Sequence, residues 1–343
     1  MAQTDFRGLP TGDVLITGAT GFLGGALVRR LLAGGCAPSQ LRCVVRDPRR
    51  AIAGGLPAAS VHAADLGDSG ALPALTAAAE GVRLVLHLAG TLKAATPAGF
   101  AAVNVDGTAR LIAALAAAAP QAHVVLVSSL AAAGPSLDGT GSARPPDATA
   151  PVSWYGASKR GGELAVVAGR SPWTILRPPV VYGPGDAATR LLFRQALAPV
   201  TVAPIRPRPL SVIHADDVVD AVLAAARRCP VGAVLPLDGP ERTDTHALLR
   251  AIADACGRRA RLLPMPMPIA NAAAWLADGF GWLRGSVGFF NRDKVREIRA
   301  VGWVADGTLA RTALDWQPSI HLAEGLAAVA RAEGFLPAGA AAR

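Results

Sequence analysis

The stretch Val14-Leu15-Ile16-Thr17-Gly18-Ala19-Thr20-Gly21-Phe22-Leu23-Gly24 constrains the fold of this chain more than any other. Four apolar or β-branched residues read as a short buried strand, and three glycines spaced by three lead straight into the Ala/Leu-rich run Phe22 to Ala33. Glycine reaches backbone conformations closed to other residues and has no Cβ to hold a neighbour away. Such a junction turns sharply, packs helix against strand, and lets backbone approach a ligand. The helix beginning there offers unpaired N–H groups and partial positive charge, which is what a diphosphate requires. A turn without a ligand shares the pattern, but the placement between a first strand and a first helix favours phosphate binding.

From Val14 to about Leu176 short apolar runs alternate with helical stretches, which predicts a doubly wound parallel sheet wrapped by helices. The expected strands are Val14 to Thr17, Leu41 to Val45, Val61 to Ala64, Leu84 to Leu88, His123 to Val127 and Trp173 to Leu176. The expected helices lie near Phe22 to Ala33, Leu72 to Ala79, Gly99 to Ala118 and Tyr155 to Ala168. The Pro/Gly/Ser-rich run Gly134 to Pro151 reads as a long loop of the kind that often serves as a lid. Beyond Arg177, prolines and glycines cut the chain into shorter pieces, and a smaller lobe interleaved with the sheet is expected. The division is a dinucleotide-binding domain over 11–185 plus about 210–238, a substrate lobe over 186–209 and 239–335, and flexible termini at 1–10 and 336–343. Within that lobe, the apolar segment 262–290 carries Trp275, Phe280 and Trp282; helix packing, a substrate mouth and a membrane-touching surface all account for it.

Apolar residues make up 51% of the chain, yet no uninterrupted apolar run is long enough to cross a bilayer, and the N-terminus has no signal-peptide pattern. A cytoplasmic location is expected, with peripheral contact at the inner face of the membrane left open. Cys36, Cys43, Cys229 and Cys256 have neither disulfide nor zinc spacing and read as buried small residues. His62, His123 and His246 have no ligand-like partners at metal spacing and read as packed or surface imidazoles, and no metal is expected. The net charge of +9 is spread along the chain rather than gathered in a stripe, which argues against nucleic acid. An anionic cofactor, an anionic substrate, an acidic membrane surface or coding bias explains it equally well.

Two further features bear on chemistry. Tyr155 and Lys159 stand one helical turn apart, so a phenol and an ammonium share a face; this is either a catalytic pair or an ordinary half-exposed surface. After the second strand the chain reads Arg46-Asp47-Pro48-Arg49-Arg50. An arginine at that place can pair with a 2′-phosphate, which favours NADP over NAD, while a merely basic loop is the alternative.

Taken in order, these motifs resemble the extended branch of the short-chain dehydrogenase/reductase superfamily, the NAD-dependent epimerase/dehydratase family. The resemblance implies a Rossmann sheet with a smaller C-terminal substrate lobe. Thr17, Gly18, Thr20, Gly21, Phe22, Leu23 and Gly24 would hold the pyrophosphate, Arg46 the ribose phosphate, and Asp65 and Leu66 the adenine. Leu88, Ala89, Gly90, Ser128, Pro178 and Val181 would line the rest of the cofactor site. Ser129, Tyr155 and Lys159 would be catalytic, with Asn104 supporting them, and Tyr155 and Lys159 would also contact the cofactor. In that scheme Lys159 lowers the phenol pKa so that Tyr155 exchanges a proton with the substrate oxygen, assisted by Ser129. His87 is expected at a cofactor-lining position, in a hydrogen-bonding rather than a catalytic role, and His214, Asp216 and Asp217 are expected to be structural. Relatives often pair through the Tyr155 helix and the 99–118 helix, which carries the expectation of a homodimer.

The substrate class divides the family. Sugar-nucleotide members commonly carry an Arg-Asp-aromatic triplet before Ile-His-Val, and this chain has Leu210-Ser211-Val212 there. Dehydratases usually carry an Asp-Glu couple after the catalytic hydroxyl, where this chain has Leu130-Ala131. The pattern is closer to dihydroflavonol reductases and 3-beta-hydroxysteroid dehydrogenases. It implies a reductase or dehydrogenase using NADP(H), with NAD(H) also accepted, on an apolar lipid-like ketone or alcohol. A nucleotide-sugar epimerase with tightly held NAD, and a cofactor-binding scaffold without turnover, are the alternatives.

Overall fold

The computed structural model describes residues 13–138, 143–145, 147–266, 268–269, 272 and 292–336. The expected termini, apart from Leu336, and the residues Trp275, Phe280 and Trp282 lie outside the described residues. The strands in chain order are β1 (Asp13–Thr17), β2 (Leu41–Val45), β3 (Val61–Ala63), β4 (Val82–His87), β5 (His123–Val127) and β6 (Trp173–Arg177). They continue with β7 (Val180–Tyr182), β8 (Thr201–Pro204), β9 (Pro209–His214), β10 (Ala233–Pro236), β11 (Arg242–Asp244) and β12 (Leu262–Met265). The helices begin with α1 (Phe22–Ala33), α2 (Pro48–Ala53), α3 (Leu72–Ala79), α4 (Pro97–Asn104), α5 (Asp106–Ala118), α6 (Leu130–Ala133) and α7 (Trp154–Val167). After these come α8 (Ala187–Ala196), α9 (Ala215–Arg228), α10 (Thr245–Ala255), α11 (Arg292–Arg299), α12 (Thr308–Leu314) and α13 (Leu322–Ala332).

Seven strands form one sheet in the order β10-β6-β5-β4-β1-β2-β3, and every pair in it is parallel. The order reverses between β1 and β4, which opens a crevice at the carboxyl ends of the strands, where such sheets bind ligands. Both faces are covered, which explains why β5 is buried at every position instead of alternating. One core gathers α1 and α9 around Leu27, Leu31, Val218 and Val222; the other gathers α3, α5 and α7 around Leu75, Leu111, Leu115 and Val166.

A third core, with Phe193, Leu248, Ile252, Leu326 and Val329, lies beside two small sheets, β11-β9-β7 and β12-β8. Strand β9 joins the regions: it runs parallel to β7 and antiparallel to β11, then enters α9. The base of the loop after β5 is held from the same side, because Ser136 N–H donates to Gly302 O and Ser136 Oγ accepts from Val304 N–H.

Several sequence expectations are corrected here. The single helix expected at 99–118 is two, α4 and α5, divided at Val105. The stretch Pro97–Ala118 is nonetheless apolar and long enough to cross a membrane by length and composition, contrary to the expectation of none. Its packing against α3 and α7 is that of a core element. Cys43 and Cys256 are buried, whereas Cys36 and Cys229 are partly exposed.

Candidate active site

The residues singled out from the sequence collect along the carboxyl edge of the large sheet. At the end of β1 the backbone of Gly18 takes φ +75°, and a Cβ there would stand 2.7 Å from Ala89 N. A Cβ on Gly24 would stand 2.0 Å from Gly18 O, so the start of α1 rests directly on the turn. Gly21 is the N-cap of α1, its N–H donates to Gly18 O at 2.9 Å, and it brings no capping side chain. Thr20 and Gly21 are exposed, and the first turn of α1 contains no carboxylate. A close-packed glycine turn below and uncapped amides above fit a dinucleotide diphosphate.

The neighbouring strand ends form the rim. Arg46 is exposed directly after β2, with Arg49 and Arg50 beyond it. The Asp47 carboxylate accepts from Arg50 N–H at 3.0 Å and thereby caps α2. Asp65 turns the chain after β3 by accepting from Gly67 N–H at 2.9 Å, and Leu66 is buried beside it. Leu88, Ala89 and Gly90 follow β4, where Ala89 N–H donates to Thr17 Oγ1 at 3.2 Å. His87 does not line the rim as expected. It is buried between Thr17 Oγ1 at 2.6 Å and Thr108 Oγ1 at 2.9 Å, and burial together with the Lys159 charge pushes its pKa down to about 3. A neutral imidazole bridging two hydroxyls ties β1, β4 and α5 together.

The other half of the edge is built by β5, α4 and α7. Ser129 caps α6, its Oγ accepting from Ala131 N–H at 3.1 Å, and its hydroxyl opposes the rise in the Tyr155 pKa. Lys159 is buried and donates to Val127 O at 2.8 Å. A Cβ built on Gly90 would lie 3.1 Å from Asn104 Oδ1 and 3.5 Å from Lys159 Nζ, which locates both groups beside the β4 rim. Asn104 accepts from Thr91 N–H at 2.8 Å and donates to Ser158 Oγ at 2.8 Å, tying that rim to α7. Pro178 is buried after β6 and its carbonyl accepts from Leu130 N–H, while Val181 on β7 is partly exposed. Ser128 is buried, and its hydroxyl donates to Glu163 at 2.6 Å.

The expected acidification of the phenol does not hold in this geometry. Burial pushes the Tyr155 pKa up to about 12, the Ser129 hydrogen bond opposes this, and the Glu297 charge adds to it. Lys159 is itself drawn down to about 8 by burial, with Glu163 opposing. For both groups burial is the largest cause of the shift.

Three supporting residues, Glu163, Asp293 and Glu297, were missed by the sequence reading. Glu163 is fully buried and accepts from Ser128, from Arg160 at 3.0 Å and from Arg177 at 2.8 and 2.7 Å. Burial alone would raise its pKa, but the hydrogen bonds and charge of Arg177 win and hold it below the ordinary value. Its place four residues after Lys159 put it on the same helix face, a usable signal. Asp293 and Glu297, which reach the start of α7 from α11, leave no local trace in the sequence.

The chain is similar to known proteins over most of its length. The family model of the NAD dependent epimerase/dehydratase family matches residues 14–234. The chain is 38% identical over 304 residues to a ceramide reductase of Caulobacter vibrioides, covering 88% of this chain and 87% of that one. It is 30% identical over 313 residues to a dTDP-6-deoxy-L-talose 4-dehydrogenase (NAD(P)(+)) of Kitasatospora kifunensis, covering 86% and 96%. Among solved structures, MoeE5 in complex with UDP-glucuronic acid and NAD superposes with a TM-score of 0.70 at 24% identity, over 94% of this chain and 99% of that one. The chain therefore belongs to the NAD-dependent epimerase/dehydratase family, the extended short-chain dehydrogenases/reductases, whose enzymes work with NAD(P).

Proposed function

We propose that this protein is an NADP(H)-dependent oxidoreductase that interconverts a ketone and a secondary alcohol on an apolar, lipid-like substrate such as a sterol, hopanoid or long-chain 3-oxo lipid. The observation that carries the substrate class is the 38% identity, over most of both chains, to a ceramide reductase. The site supports the chemistry. The glycine turn and the start of α1 would hold the diphosphate, Arg46 the 2′-phosphate, and Lys159 and Asn104 the nicotinamide side. Because Asp47 is engaged in capping α2, its carboxylate is drawn away from a ribose phosphate next to Arg46. The bound dinucleotide supplies or accepts the hydride.

Tyr155 is the proton donor in the reducing direction. A phenol with its pKa near 12 holds its proton at neutral pH, and the Ser129 hydroxyl beside it supplies a second hydrogen bond to the developing oxyanion. Ser129 needs no rearrangement for this role, because capping α6 already fixes its Oγ. In the oxidising direction the same phenol must first lose its proton, which its present surroundings oppose. An apolar substrate is consistent with enzyme working in the cytoplasm at the inner face of the membrane.

A nucleotide-sugar epimerase is the second reading, favoured by the UDP-sugar complex of MoeE5 and by the dTDP-sugar relative. Against it, Leu210-Ser211-Val212 presents no guanidinium at that position, and Arg208 Nη1 donates to Ala300 O. A panel of lipid ketones and nucleotide sugars, assayed with NADPH and NADH, separates the readings. Turnover of lipid ketones with NADPH is expected, and turnover of sugars alone would overturn the proposal. Tyr155→Phe should lower kcat by about 100-fold or more; full turnover in that variant would remove Tyr155 as the donor.

A further inference from the structure

The first amides of α7 have no partners within their own helix and must find them elsewhere. Ser153 takes one locally, its Oγ accepting from Gly156 N–H at 2.9 Å. The other two come from far along the chain: Asp293 accepts from Trp154 N–H at 2.6 Å and from Tyr155 N–H at 3.1 Å, one amide to each carboxylate oxygen. One turn further along α11, Glu297 accepts from Ser153 Oγ at 2.8 Å. Between the two carboxylates Arg296 lies over the Trp154 ring, 4.6 Å from its centroid. Residues 153, 154 and 155 are therefore all gripped by one face of α11.

Carboxylates cap helices in this fold both from the adjoining residue and from a distance, as Glu241 does in accepting from Leu322 N–H at the start of α13. Asp47, Asp186 and Asp244 each cap the helix that immediately follows them. Asp293 caps a helix whose start lies 139 positions before it and whose second residue is Tyr155. Asp293 is buried, and α11 is anchored in turn by the Trp303 indole, which donates to Glu297 O at 2.9 Å.

We propose that α11 is a positioning element for the proton donor: Asp293 fixes the backbone that carries Tyr155, and Glu297 fixes the charge that its phenol faces. The proposal rests on Tyr155 being that donor. Two carboxylate oxygens on consecutive amides define both the tilt and the rotation of the first turn, and hence the direction of the phenol. Ser129 from the start of α6 and the Glu297 charge from α11 act on the phenol, and the Phe100 ring of α4 stands 6.2 Å from it; Asp293 holds the amides of Trp154 and Tyr155, Arg296 covers the Trp154 ring, and Lys159, one turn on, donates to Val127 O. Arg296 approaches Asp293 at 3.4 Å and Lys294 pairs with Glu297 at 2.7 Å, so the carboxylates are partly offset. A negative charge maintained at that end of α7 disfavours the phenolate and keeps the proton on Tyr155 until the substrate oxygen takes it.

The chain contains two tyrosines, Tyr155 and Tyr182, which makes a direct test practical. Full-length protein carrying 3-fluorotyrosine has its phenol ionisation brought toward neutral pH and yields two ¹⁹F resonances, assigned with Tyr182→Phe. Glu297→Gln keeps an oxygen for the Ser153 hydroxyl but removes the charge, and should lower the Tyr155 ionisation by about one pH unit. An unmoved transition would overturn the electrostatic half of the proposal. Asp293→Ala should lower kcat about tenfold, with cofactor Kd changed by less than about twofold, and Asp293→Asn should recover much of the loss. Wild-type kcat in Asp293→Ala, or cofactor affinity falling in parallel with no recovery in Asp293→Asn, would overturn the positioning half. The fluorine titration needs no substrate, so it stands or fails separately from the substrate assignment.

Discussion

The two halves of the site are built in opposite ways. On the β1 side, eight consecutive residues from Thr17 to Gly24 make the turn and the helix start, and side chains matter mainly by their absence. On the α7 side, one short helix carries the chemistry, but the groups that hold it come from β5, β6, α4, α6 and α11. A cavity for a diphosphate needs backbone brought close to backbone, which glycine spacing supplies locally. Directing a phenol and an ammonium at one reacting centre needs opposed charges and hydrogen bonds from several directions, which no contiguous segment can supply. The first half should therefore be sensitive to added volume, and the second to lost charge.

The largest effect is expected in the second half. Glu163→Gln removes one charge of a fully buried ion pair with Arg177, and should cost about 3–5 kcal/mol in chemical denaturation. A loss below about 1 kcal/mol would mean that Arg177 finds other partners and that charge is not what holds this side.

Gly24→Ala tests the first half. Its Cβ would meet the Gly18 carbonyl oxygen at 2.0 Å, a backbone atom that cannot step aside. Destabilisation of about 3 kcal/mol with weakened dinucleotide binding is expected. Gly25→Ala is the control, because its nearest neighbour would be the flexible end of Arg29 at 3.4 Å. Equal behaviour of the two variants would break the claim that contact geometry governs this half.

The smallest effect sharpens the role of Lys159. Its folded pKa, about 8, lies below the ordinary lysine value of 10.5 because burial disfavours the ammonium. Between those values the unfolded chain holds more protons than the folded one, so wild-type stability rises with pH across that window. Lys159→Met should be more stable than wild type near pH 7, by on the order of 2 kcal/mol, with the gap narrowing from pH 8 to 10.5. Urea midpoints at several pH values check this. A gap that widened with pH would reverse the assignment of burial as the dominant cause.

Much of this was legible in the sequence, and the exceptions share a cause. The strands β1, β2, β5 and β6 follow from short apolar runs, and α1 and α7 from the residues that open them. The β9 strand begins as early as Pro209 because Pro209 to Ser211 pair with β11, a contact that local pattern does not encode. His87 was assigned to the cofactor from its neighbours in sequence, but its Thr17 and Thr108 partners come from β1 and α5. The direction of the Tyr155 shift was misjudged for the same reason. Helical spacing places Lys159 near the phenol, but only packing shows that its ammonium points at Val127 O and that Glu297 stands on the other side.

The sequence by itself determined the parallel sheet, the glycine turn at its crevice and the residue types available for proton transfer, because each depends on backbone freedom or on periodicity within a few residues. Only the tertiary structure decided how those residues are charged and aimed: the neutral His87, the buried Glu163–Arg177 pair and the Asp293 grip on Tyr155. Such effects depend on desolvation and on distances of about 3 Å between groups far apart in the chain, and neither quantity exists until the chain has folded.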